Sequence, residues 1–118
     1  MSQRTERIAD LLRAELADLL LRELRDPRVR LATISRIEVA ADLGHALVHV
    51  SALGDESQRA AAMKGLESAS GFLRRELAHR LSLRQIPALR FVLDRGAEHS
   101  LRISEILADL DGDPPHDS

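Results

Sequence analysis

The apolar residues of this chain change their spacing at Pro27. Before it, Ile8, Leu11, Leu12, Leu16, Leu19, Leu20 and Leu24 recur at helical intervals, which predicts one amphipathic α-helix over residues 5–25. Pro27 has no amide hydrogen and disfavours helical geometry at Asp26, so the helix should end near Arg25. After it, "ATISRIEVA" (residues 32–40) and "HALVHVSAL" (residues 45–53) are β-branched or alternate at every second residue. The "ADLGH" between them supplies the Asp and Gly of a hairpin loop, which predicts two antiparallel strands. In the second strand, Ala46, Val48, Val50 and Ala52 should share the buried face, with Leu47 and His49 looking outward.

Helical spacing then returns. Asp55 and Gln58 have the offset of a capping box, placing a helix start just after Gly54, and Ala60, Ala61, Ala62 and Met63 propagate it as far as Leu66. Leu73, Leu77 and Leu81 define a second run over residues 72–83. Between the two lie Ser68, Ala69, Ser70 and Gly71. A glycine inside a helix costs roughly 1 kcal/mol relative to alanine, and the flanking serines compete for backbone hydrogen bonds, so a kink is expected here. Small side chains would also let two helices cross closely, which a leucine at position 69 or 71 would block. These residues alone do not choose between a kink with a function and a tight helix contact.

Pro87 forces an exit into "ALRFVLD", where Leu89, Phe91 and Leu93 alternate as a third strand. Ile103, Ile106, Leu107 and Leu110, with Leu101 before them, suggest a C-terminal helix. The closing "DGDPPHDS" has no apolar anchor and reads as a disordered acidic tail. The expected architecture is α+β in the order αββααβα: a three-stranded sheet with helices on one face and the other face partly open. A chain of 118 residues suits one core, so residues 1–110 are expected to form a single domain and residues 111–118 the tail.

Composition narrows the function classes. No apolar run approaches the roughly 18 residues needed to span a bilayer, and the N-terminus shows no secretory pattern, so a cytoplasmic protein with no membrane partner is expected. The absence of cysteine removes disulfides, thiolate metal sites and cysteine nucleophiles. There is no Gly-x-Ser-x-Gly elbow, His-Glu-x-x-His pair or phosphate-binding glycine loop, so no enzyme activity and no cofactor are expected. His45 and His49 would share a strand face but lie roughly 13 Å apart, too far to share a metal. The net charge of −2 hides an uneven distribution: residues 61–95 are basic and residues 96–118 acidic.

The run "SASGFLRRELAHRLSLRQIPALRF", with Ala69-x-Gly71, Leu73-Arg74, Pro87 and Leu89-x-Phe91, resembles the signature region of the ribosome-binding factor A family. The resemblance extends to Asp26-Pro27-Arg28, to the "ISRIEVAADLGHALVHVSALGD" hairpin and to Leu101-Arg102-Ile103, covering about residues 5–110. It implies a KH-like domain of the second topological type whose helix-kink-helix is centred on Ala-x-Gly. It further implies a bacterial factor, not an enzyme, that binds the free 30S small ribosomal subunit. There it would assist late maturation, including formation of the 5′ end of 16S rRNA, with a link to growth in the cold. Other maturation factors or GTPases are further candidate partners, and the protein is expected to be a monomer. Ordinary KH domains clamp backbone over a Gly-x-x-Gly loop. None occurs in this chain, and the joint takes its place.

With two phenylalanines, no tyrosine and no tryptophan, the chain lacks platforms for stacking splayed bases, and Phe91 is expected in the core. Recognition of rRNA through phosphates and shape fits better, and arginine suits it. On the helix after the joint, Arg75 and His79 point away from the leucine face, Arg74 and Arg80 flank it, and Arg84 lies near its end. With the family resemblance, this cluster is the first candidate RNA contact. Arg25, Arg28 and Arg30 around the Asp-Pro-Arg turn form a second patch. The competing reading is a protein-interaction module that docks a partner through its amphipathic first helix or an exposed strand.

Overall fold

The computed structural model describes residues 3–94. Helix α1 (Gln3–Arg22) turns Ile8, Ala9, Leu12, Leu16 and Leu19 into the core. Leu12, Leu16 and Leu19 are fully buried, each worth roughly 1.5–3 kcal/mol of apolar burial. The helix stops sooner than the leucine spacing suggests. The amides of Glu23 and Leu24 both donate to the Leu19 carbonyl, at 2.9 and 3.0 Å, and the chain leaves helical geometry well before Pro27. Asp26 then caps a short 3-10 turn, Pro27–Val29, its side chain accepting from the Arg28 amide at 2.9 Å.

Strands β1 (Ala32–Val39) and β2 (His45–Ala52) pair antiparallel, and β3 (Ala88–Leu93) pairs parallel to β2, giving the sheet order β1-β2-β3. A parallel pair needs a long crossover. Here it is α2 (Glu56–Ser68) followed by α3 (Ser70–Arg80), and the fold is α+β in the order αββααβ. Asp55 and Gln58 form the reciprocal capping box at the start of α2, each side chain accepting from the other residue's amide at 2.8 Å. The helices lie over the sheet face that carries Ile34, Ile37, Val39, Ala46, Val48, Val50 and Phe91. The C-terminal helix expected from Leu101 to Leu110 and the acidic tail lie outside the described residues. Among those described, no helix is long and apolar enough to cross a membrane.

Ile34 and Ile37 both face the core although they are three residues apart, which strict alternation forbids. The register explains it: Ile34 pairs with Val50 and Arg36 with His49, so Ser35 is the extra residue of a β-bulge. The Ser35 hydroxyl lies 3.1 Å from both the His49 carbonyl and an Asp94 carboxylate oxygen and donates its one proton to either. The hairpin loop also departs from expectation. Asp42 accepts from the Gly44 amide at 2.8 Å, but the left-handed residue is Leu43, with φ 64°.

Leu47 and His49 do not look outward: both are fully buried. They lie on the sheet's second face, but β2 is the central strand, and its neighbours flank them. Leu47 sits between Glu38 and Arg90, and His49 between Arg36 and Val92. This face is thus closed along its centre and open at its edges, where Arg36 and Arg90 are exposed. His49 Nε2 lies 3.0 Å from Glu38 Oε1, while its Nδ1 has no partner among the described residues.

The helices α2 and α3 meet at Ala69, whose amide reaches back to the Gly65 and Leu66 carbonyls at 3.1 Å and whose own carbonyl accepts from Leu73. Ala69 is half-buried against the core. Gly71 plays no part in a close crossing, contrary to the sequence reading. It is exposed, and a Cβ added there would meet only Arg75 Nη1, at 3.6 Å. The close approach is at Gly65, where a Cβ would lie 2.9 Å from Val29 Cγ1 and 3.3 Å from Asp26 Oδ2. The glycine that matters seats the Asp-Pro-Arg turn on α2.

Candidate nucleic-acid interface

After α3, residues 81–87 return the chain to β3, and one arginine fixes their course. Arg74 donates from Nε and Nη2 to the Ile86 carbonyl, at 3.1 and 2.7 Å. Ile86 and Pro87 are buried, and the Ala88 amide donates to the Gly44 carbonyl at 2.9 Å. This anchoring brings Arg84 to the same shallow depression as Arg74 and Arg75, a volume of about 350 Å³ completed by Ala78, Leu83 and Ile86. Among the described residues, no acidic side chain lines it. Arg75 and Arg84 are exposed and have no ion-pair partner among the described residues, while Arg74 keeps three of its five N–H groups for a ligand. A guanidinium fork of this kind matches phosphate oxygens.

Arg80 is turned the other way. Its Nη1 donates to Asp18 Oδ2 at 2.8 Å and to Glu15 Oε1 at 3.1 Å, tying α3 to α1. The Arg80 guanidinium is the main cause, with Arg22 next, that holds the Asp18 carboxyl below its ordinary value. Arg22 Nε itself lies 2.6 Å from Asp18. Arg80 is thus occupied by the fold, whereas His79 beside it is exposed and carries no ion pair among the described residues.

The second patch divides in the same manner. Arg28 donates from Nη2 to Asp26 Oδ2 at 2.6 Å and from Nε to the same oxygen at 3.0 Å. Its side-chain hydrogen bond, followed by its amide, holds the Asp26 carboxyl below the usual range. Arg25 and Arg30 are exposed, without an ion-pair partner among the described residues, and line a groove of about 530 Å³ between the end of α1 and the start of β1. Only some of the eight candidates therefore converge. Arg74, Arg75 and Arg84 form one depression, Arg25 and Arg30 line another, and Arg28 and Arg80 hold the fold together.

Sequence reasoning missed Gly65 and the Ile86 carbonyl, which position these groups. A glycine three residues before the Ser-Ala-Ser-Gly joint was the available signal for the first; a backbone carbonyl leaves none. The two phenylalanines offer little to a base, since Phe91 is buried and Phe72 half-buried against the core. The helix junction is built by Ser68, Ala69 and Ser70, without the two glycines of a backbone clamp.

Comparison with known proteins agrees with this geometry. The profile of the family described as ribosome-binding factor A matches residues 4–107. A ribosome-binding factor A of Thiobacillus denitrificans is 43% identical over 104 residues, 88% of this chain and 84% of that protein. Among solved structures, the solution structure of a Thermotoga maritima protein described as a putative ribosome binding factor A superposes with a TM-score of 0.71. It is 34% identical, over 83% of this chain and 93% of that one. A Thermus thermophilus ribosome binding factor A homology model, fitted into a cryo-electron-microscopy map of its complex with the 30S subunit, gives 0.64. It is 29% identical, over 76% of this chain and 94% of that one.

Proposed function

This chain belongs to the ribosome-binding factor A family, and from that premise we propose that it binds the free 30S small ribosomal subunit through rRNA phosphates. It acts as a monomeric cytoplasmic factor in late assembly, assisting formation of the mature 5′ end of 16S rRNA and supporting growth in the cold. Other maturation factors or GTPases act beside it. The observation that carries this reading is the depression of Arg74, Arg75 and Arg84, three guanidiniums with no carboxylate among the described residues that line it. The Thermus thermophilus relative fitted into a 30S complex supports the choice of particle.

The chemistry is electrostatic and geometric. Arg75 and Arg84 each meet a phosphate with two parallel N–H groups, and Arg74 is held in place by Ile86 while its free nitrogen completes the site. With no exposed aromatic platform, the site reads the path of the RNA backbone rather than base identity. Such contacts release counterions, so binding should fall steeply as salt rises. Co-sedimentation of the purified protein with separated small subunits, large subunits and intact ribosomes, at low and moderate salt, tests the proposal. Pelleting mainly with free small subunits, reversed by salt, is expected. No association with any particle would overturn it.

A further inference from the structure

The groove between the end of α1 and the start of β1 has a different character from the arginine depression, and nothing in the proposed rRNA contact uses it. Its floor and wall are aliphatic: Leu20, Leu21, Leu24 and Val29 line it. Leu21 is 79% exposed, the most open of the large apolar side chains described. Singly exposed apolar side chains are ordinary, but Leu21 is continuous with the apolar lining of a groove, and it is contiguous apolar surface of this kind that marks an interaction site. Arg25 and Arg30 stand at the same groove with no carboxylate partner among the described residues. Asp26, the one acidic residue lining it among those described, is already neutralised by Arg28 at 2.6 Å. Among the described residues, the groove therefore combines an apolar interior with an uncompensated positive charge.

We propose that this groove docks an acidic amphipathic helix of a protein partner. Leucine-like anchors on one face of such a helix would fill the floor, and carboxylates flanking them would meet Arg25 and Arg30. RNA fits the groove poorly. Arg25 and Arg30 would meet a phosphate as well as a carboxylate, but the leucines would meet nothing in an RNA backbone, and no aromatic side chain among the described residues lines the groove to stack a base. The proposal is independent of the small-subunit reading, since it concerns other residues and another class of ligand.

The test uses the full chain, isotope-labelled, with a synthetic helical peptide of about four turns that carries leucines on one face and glutamates beside them. A copy with lysine for every glutamate serves as control. The expected result is saturable chemical-shift change at Leu21, Leu24 and Thr33, with the lysine copy weaker by about tenfold or more. Leu21→Asp, at a solvent-exposed position, should abolish the shifts with the fold intact, and the double variant Arg25→Glu with Arg30→Glu should prefer the lysine copy. Absence of saturable shifts, equal affinity for the two peptides, or shifts centred elsewhere would overturn the proposal. So would a single-stranded oligoribonucleotide that moves these residues when the acidic peptide does not.

Discussion

Arg80 on α3 and Asp18 on α1 lie 2.8 Å apart, with Glu15 accepting from the same guanidinium nitrogen at 3.1 Å, so the most basic stretch of the chain gives one of its arginines to the fold. Arg80 and Arg75 should consequently respond differently to charge reversal. Arg80→Glu adds a fourth carboxylate to Glu15, Asp18 and Glu23, which Arg80 bridges, and should lower the melting temperature, with any loss of subunit binding following from that. Arg75→Glu and Arg84→Glu should leave melting unchanged and weaken co-sedimentation, each flattening the dependence of log affinity on log salt by about one. Equal thermal effects for Arg80→Glu and Arg75→Glu would contradict this division.

Two glycines six positions apart should show opposite signs. Gly65→Ala drives a methyl to 2.9 Å from buried Val29, and the overpacking, about 1–3 kcal/mol, should exceed the roughly 1 kcal/mol that alanine gains in a helix. Gly71→Ala makes only an ordinary van der Waals contact, 3.6 Å from Arg75 Nη1, and should stabilise by about 0.5–1 kcal/mol. Urea denaturation of the two variants measures both. Destabilisation at position 71 would restore a packing role for the joint's glycine.

Stability should fall on acidification below about pH 4. Asp18 and Asp26 have folded values below the ordinary 3.8, so their contribution is complete above that value and is lost as pH falls through the lower, folded ones. Asp18→Asn removes one of these groups. Its stability, lower than wild type at neutral pH, should decline less steeply in acid, and a melting series against pH would read the difference.

Glu38 supplies the only side-chain partner of buried His49 among the described residues, at 3.0 Å. Glu38→Ala leaves both ring nitrogens unsatisfied inside the protein and should cost about 1–3 kcal/mol. Glu38→Gln keeps an acceptor oxygen and should recover much of the loss. Chemical denaturation distinguishes the pair, and an unaffected Glu38→Ala would mean that His49 relaxes to another partner.

The alternation of Ala46, Val48 and Val50 and the helical spacing of Leu12, Leu16 and Leu19 were legible because burial selects for them at every repeat. Ser35 was not. A bulge adds one residue without a composition signal, and only the three-residue gap from Ile34 to Ile37 betrayed it. His49 was misplaced, together with Leu47, because alternation put both on the sheet's second face and that face was expected to be partly open, whereas the flanks of a central strand enclosed them. In the candidate site, the identity of the arginines was visible, but their division was not. Whether an arginine meets water or a carboxylate depends on residues such as Asp18, some sixty positions away, which periodicity on a single helix never compares.

The pairing of β2 with β3 joins positions roughly forty residues apart, whereas β1 and β2 are closed by a short loop. Chain closure over the longer distance carries the greater entropic cost, so the third strand should be the last to lock. During synthesis the hairpin and α1 can assemble while residues 88–94 are still being made. Until they arrive, one whole edge of the central strand offers its amides and carbonyls to any extended chain nearby. The kinked pair α2–α3 thus sets the interval over which a newborn copy is exposed to mispairing, and the bond from the Asp94 amide to the Val50 carbonyl marks its end.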